Sequence, residues 1–188
     1  HPEVFMLAGV MFLIGLAHMV YPSTFVLYAD YRFHWGSQMA GVTLMIVGLL
    51  AAIIQGGLIG RAIKAWGERR TLLFGLGMGT LGFTLYGLAP TGYWFWAAMP
   101  IMAMWGFATP AAQALMTRQV APTEQGRLQG VLGGLSALAA FVGPFAFAQL
   151  YAWSLTLPGS WSGAAMMGGA VLLSAATLVA LTLRRRTA

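Results

Sequence analysis

The sequence has no cysteine and no asparagine, and its 188 residues include only ten Lys or Arg and four Asp or Glu. Without cysteine there is no disulfide framework, no thiolate nucleophile and no cysteine-ligated metal. No HExxH motif, Walker loop or metal cluster occurs either, so neither a metal nor another cofactor is expected. The shortage of charge excludes more. Charged residues make up 7% of the chain, where a soluble domain carries about a quarter. With 59% hydrophobic residues, such a chain cannot cover its surface for water, and lipid is the expected solvent for most side chains. The pI of about 10.3 does not point to nucleic acid. The basic residues form short clusters between apolar runs, not a polar face with interleaved aromatics. The chain opens on His1 with no basic, apolar and small-residue leader, and reads as a piece of a longer protein that starts in a linker.

What is present is a series of long apolar runs. Six are long enough to cross the hydrocarbon core: Val4–Tyr28, Ser37–Ile59, Thr71–Ala89, Tyr93–Leu115, Leu128–Tyr151 and Trp161–Leu183. None contains Lys, Arg, Asp or Glu. They are continuously apolar and lack the alternation of an outer-membrane barrel, so helices are expected. The stretch Gly60–Arg70, reading GRAIKAWGERR, organises them. With the first span running outward, this stretch, Met116–Arg127 and the tail Arg184–Ala188 face inward. They hold Arg61, Lys64, Arg69, Arg70, Arg118, Arg127 and Arg184 to Arg186, against Arg32 alone outside. That bias predicts two cytoplasmic termini. Tyr28, Tyr31, Trp35, Tyr93, Trp94, Trp96, Trp153 and Trp161 then gather at the outer interface.

Glycines recur at a spacing of four, at Gly56 and Gly60, Gly75 and Gly79, and Gly126, Gly130 and Gly134. Small residues so spaced let helices approach closely in lipid. A weak internal repeat sets Tyr21-Pro22-Ser23 against Thr109-Pro110-Ala111. Residues 4–89 and 93–183 thus read as an inverted pair of three-helix units in one six-helix bundle, a pattern of secondary transporters.

Polar groups in hydrocarbon need a partner or a wet cavity. His18 lies near the middle of the first span, Gln55 and Gln113 toward the inner ends of the second and fourth, and Ser136 in the fifth. His18 is the one side chain in these runs whose ordinary pKa allows proton exchange near neutral pH. It is read either as a proton or substrate contact or as a neutral histidine bonded to a neighbouring helix. The glutamines divide likewise between substrate contact and interhelical bonding, and Ser136 between the substrate and proton pathway and a bond within its own helix. Enzyme readings fail. Gly134-Leu135-Ser136-Ala137 has no later histidine to act as a base, because His34 is the last in the chain, and no intramembrane pair of acids exists.

At the inner loops Trp66-Gly67-Glu68-Arg69-Arg70 is similar to the second copy of the loop signature of the major facilitator superfamily. Thr109 to Val120, then Gln125 to Gly130, Val142-Gly143-Pro144 and Tyr151 resemble the C-terminal half of tetracycline-type drug/proton antiporters. Tyr31 to Trp35 fits the outer loop after that half's first helix. The resemblance spans about Tyr21 to Trp153. It implies an all-α integral membrane fold, helices seven to twelve of twelve, in the cytoplasmic (inner) membrane of a bacterium, with the N-terminal six-helix half as the missing partner. It places Gln55 and Gln113 at the central cavity. Gly67, Glu68, Arg69, Arg70, Arg118, Glu124 and Arg127 fall in the inner gate. The sequence also departs from the family. The third-helix acid falls on Gly79, the second-helix histidine on Ala51, and the acid three residues before Gly67 on Lys64.

The resulting expectation is half of a proton-coupled exporter working by alternating access, with protons and a small amphipathic molecule as its partners. The substrate would be met by His18, Gln55, Gln113, Met104 and Trp105. Two other readings stay open: an importer of a small nutrient, and a membrane subunit or sensor that keeps the fold as a scaffold.

Overall fold

Proline and glycine, more than apolar periodicity, decide where these helices break. The computed structural model describes residues 2–157 and 161–183, and every regular element among them is helical. The first span is α1 (Pro2–His18) and α2 (Val20–Phe33), bent at Met19. Pro22 explains the bend, since it lacks an N–H and its ring excludes the carbonyl four residues earlier, that of His18. The second span joins α3 (Ser37–Ile53) and α4 (Ile59–Trp66) through a π-helical turn, Ile54–Leu58. Gly56 and Gly57, adjacent and without Cβ, permit this wider turn. The third span is α5 (Glu68–Leu88), unbroken. The fourth is α6 (Gly92–Ala103), a 3₁₀ turn at Met104–Phe107, and α7 (Ala108–Thr117). Pro110 deprives the Gly106 carbonyl of its helical donor within that 3₁₀ turn. The fifth and sixth are α8 (Gln125–Leu155) and α9 (Ala164–Thr182).

Five of the described helical stretches are long and apolar enough to cross a membrane. The fourth of the six runs read from the sequence is helical from Gly92 to Thr117 but is less apolar than the other five, being diluted by Trp, Tyr, Pro and Gln. The inner loops are also shorter than expected. Arg61 and Lys64 lie within α4, and Gly67 alone separates it from α5, at φ 78°, ψ 162°, a conformation only glycine adopts readily. Between α7 and α8, Arg118 to Ala121 are non-helical and Pro122–Glu124 forms a 3₁₀ turn. The difference has a simple cause. Hydrocarbon thickness sets the length of the apolar run, while the helix continues into the polar zone until a residue stops it. The basic tail, Arg184–Ala188, lies outside the described residues.

The core forms where α5 and α9 pack along each other, with α6, α7 and the 3₁₀ turn against α5, and α1 against α8 and α9. Close approach explains the glycines of α5. A Cβ on Gly75 would stand 2.6 Å from the Ala108 backbone nitrogen, and one on Gly82 would stand 2.8 Å from Met102 Cα. Gly143 of α8 likewise receives the Met19 side chain at the bend of the first span. The glycines at 56, 60, 126, 130 and 134 touch nothing within 4 Å of where a Cβ would lie, contrary to their spacing.

One end of the bundle is tied by aromatic side chains. Tyr28 Oη donates to Tyr86 O at 2.5 Å, Tyr151 Oη to Leu27 O at 3.1 Å, and Trp161 Nε1 to Gly87 O at 3.3 Å. Tyr86 and Phe95 stack with centroids 3.9 Å apart, and Trp35 lies 5.6 Å from Trp96.

Candidate functional site

The breaks of the first, second and fourth spans meet. The His18 ring, at the end of α1, lies 4.5 Å from the Trp105 ring in the 3₁₀ turn, tilted by 38°. Each residue sits at the break its proline causes, four residues before Pro22 or five before Pro110. Trp105 is buried, with Phe83 edge-on at 5.4 Å. Its indole covers Gly79, where a Cβ would stand 2.7 Å from Trp105 Cδ1 and 2.6 Å from Leu173 Cδ1. The space beside Gly79 is therefore filled by the indole and Leu173. His18 keeps one side exposed.

Two buried donors near these breaks, Trp105 Nε1–H and Tyr21 Oη–H, find no acceptor among the described residues. Buried donors are nearly always satisfied, so each is free to meet a water or a ligand atom. The π turn of the second span packs on the 3₁₀ turn of the fourth. Ile54, Phe107 and Ala62 form a small buried cluster, with Met104 and Phe74 against it. This brings Gln55, exposed on the π turn, beside the fourth-span break. Gln113 lies about two turns further along α7 and is exposed. Ser136 is exposed on α8, seven residues from the Gly143 contact, and does not join the cluster.

Of the residues singled out in the sequence, the structure brings His18, Trp105, Met104 and Gln55 to these breaks with Gly79 beneath the indole, and it adds Met19, Tyr21, Phe83 and Gly143, which the sequence reading did not place there. The signal was available in part. A proline inside an apolar run points to the residue four positions earlier as the free carbonyl.

At the basic end, Glu68 and Arg118 form an ion pair at 2.7 Å, the only one among the described residues. Arg69 does something else. Its Nε donates to Leu183 O at 3.1 Å and its Nη2 to Leu181 O at 2.9 Å, closing the C-terminal end of α9. Arg70, Glu124 and Arg127 are exposed and take no part in a network among the described residues. Of the grouped gate residues, the structure joins one pair directly, while Gly67 supplies the break before them.

Residues 7–188 match the profile of the Major Facilitator Superfamily. The chain belongs to that superfamily. Among its relatives, the tetracycline resistance protein of class C from Escherichia coli is 34% identical over 166 residues, covering 88% of this chain and 41% of that protein. The class G protein from Vibrio anguillarum is 34% identical over 180 residues, covering 96% and 44%. The crystal structure of the human organic anion transporter MFSD10 (TETRAN) superposes with a TM-score of 0.82 at 23% identity, covering 95% of this chain and 41% of that one. The chain thus spans less than half the length of these proteins, and the likeness to MFSD10 concerns the fold alone.

Proposed function

We propose that the chain forms the C-terminal half of a secondary transporter that exports a small amphipathic molecule by alternating access, with protons as the coupling ion. The observation that carries this reading is the meeting of the two proline-induced breaks at His18 and Trp105. Pro22 and Pro110 remove the ordinary helical donors to the His18 and Gly106 carbonyls, and broken helices of this kind are the feature on which midplane substrate sites are built. The tetracycline resistance relatives support the choice of efflux, and their greater length supports a further set of helices as the partner. His18 carries the proton role in this reading, because Gly79 leaves no carboxylate and the indole of Trp105 closes the space. Gln55, Gln113 and Met104 line the path, and the Glu68–Arg118 pair joins the inner ends when the cytoplasmic side is closed. The basic end faces the cytoplasm of a bacterial inner membrane.

The test is transport by the full-length protein in proteoliposomes under an imposed proton gradient. Gradient-driven movement is expected, with His18→Ala reducing it while passive exchange persists. Unchanged transport by that variant at every pH would reject the coupling role of His18. Everted vesicles fix the direction, since uptake into them driven by acidification of the lumen is export.

A further inference from the structure

A second feature lies at the aromatic end, away from the helix breaks. Here α2 stops at Phe33, and His34 takes φ 55°, ψ 40°, the left-handed conformation that glycine usually supplies after a helix. This turn lays the Trp35 indole onto Gly92, where a Cβ would collide with the ring. Between the turn, the start of α3 and the 90–93 connection lies an open recess of about 430 Å³. Its walls include Arg32, His34, Trp35, Pro90, Tyr93 and Trp96, and they are mostly apolar.

Arg32 is the one cation at this end among the described residues. Its Nε donates to Ala89 O at 3.2 Å, which fixes the guanidinium plane. Its Nη groups have no partner among the described residues, and it forms no ion pair there. Trp96 Nε1 is already bonded to Thr43 Oγ1 at 3.1 Å, whereas Trp35 Nε1 makes no bond within the described chain. A fixed guanidinium with free Nη donors suits a carboxylate or sulfonate. Indole and phenol faces suit a flat ring, and the volume falls in the range of small-molecule sites. A cationic ligand would be repelled, while a bare inorganic anion would lose water to apolar walls that return no hydrogen bonds.

We propose that this recess binds an aromatic monoanion, with its charged group on the Arg32 guanidinium and its ring against Trp35 and its aromatic neighbours. The site is independent of the transport reading and stands or falls by binding alone. The test uses the full-length protein in phosphatidylcholine nanodiscs with 2-naphthoate as the probe, measured by equilibrium dialysis. Saturable binding is expected, weakened about tenfold or more by Arg32→Gln, as loss of a charge-assisted contact implies, and partly restored by Arg32→Lys. The neutral 2-naphthalenemethanol should bind far more weakly. Because Arg32 also ties α2 to Ala89, Trp35→Leu serves as a second variant that keeps the charge and should weaken the probe too. His18→Ala should leave binding unchanged, and dihexanoyl phosphatidic acid should not displace the probe. Equal binding by Arg32→Gln and the parent protein overturns the proposal. So does loss of binding in His18→Ala alone, or binding of the lipid without the naphthoate.

Discussion

The second and third spans each carry five glycines, and those glycines do opposite things. In α5 a Cβ at Gly75, Gly79, Gly82 or Gly87 would press on a neighbour, in three cases on its backbone. In the second span a Cβ at Gly41, Gly48, Gly56, Gly57 or Gly60 would meet nothing within 4 Å. Half of the central window of α5 is buried inside the bundle, against 11% for the second span. The third span is thus the axis on which α6, α7 and α9 are pressed. The second touches the bundle more sparsely, through α3 on α6, the π turn on the 3₁₀ turn and α4 on α5. In lipid, where the hydrophobic effect does not draw helices together, missing side chains determine how closely backbones approach. Small residues are necessary for such contact but do not show that it is made.

The largest expected effect breaks this contrast directly. Gly75→Ala sets a methyl against the Ala108 backbone, which cannot move without shifting α7, and should cost about 2–3 kcal/mol. Gly48→Ala, inside α3, enters open space and should be neutral or stabilising by up to about 1 kcal/mol through helix propensity. Reversible denaturation of the full-length protein in detergent measures both. Equal losses would mean that a surface outside the described chain presses on the second span, and the contrast would be confined to this bundle.

A second test sharpens the role of Gly79. Gly79→Ala should destabilise the parent protein, because the Trp105 indole occupies the space, and should be tolerated once Trp105→Ala has emptied it. The two changes should couple by about 1–3 kcal/mol in a double-mutant cycle. Additive costs would show that Leu173, not the indole, determines the fit.

These contrasts also mark what the sequence could tell. The helical membrane fold was legible in the six apolar runs, and the superfamily in the residues around Gly67 and Thr109–Gly130. His18 and Trp105 were visible as an ionisable and an aromatic residue inside hydrocarbon, but their contact was not. It depends on two bends from different proline residues coming to the same depth, which no local pattern encodes. Glycine spacing misled for the same reason. The runs at Gly56–Gly60 and Gly126–Gly134 look like Gly75–Gly79, and only the packed neighbours tell them apart. The inner-loop charges were found as a group, yet whether an arginine meets a carboxylate or a carbonyl is decided by side-chain reach. So Glu68 pairs with Arg118, while Arg69 turns to the end of α9.

That last division gives the smallest expected effects and tests whether the third span is an axis at its basic end as well. Arg69 donates to the carbonyls of Leu181 and Leu183 at the end of α9, so Arg69→Gln should cost about 1–2 kcal/mol and respond little to salt. Arg118 pairs with Glu68 but its side chain is 73% exposed, so ordering entropy and solvent screening offset most of the attraction. Arg118→Gln should change stability by less than about 1 kcal/mol, and the difference should fade at high ionic strength. The pair bridges α5 and the turn after α7, and under the proposed alternating access a contact worth this little could separate and re-form without trapping the protein. If Arg118→Gln instead proved the costlier of the two and insensitive to salt, the basic end would be clamped through that turn, and the pair would be a structural tie rather than a reversible contact.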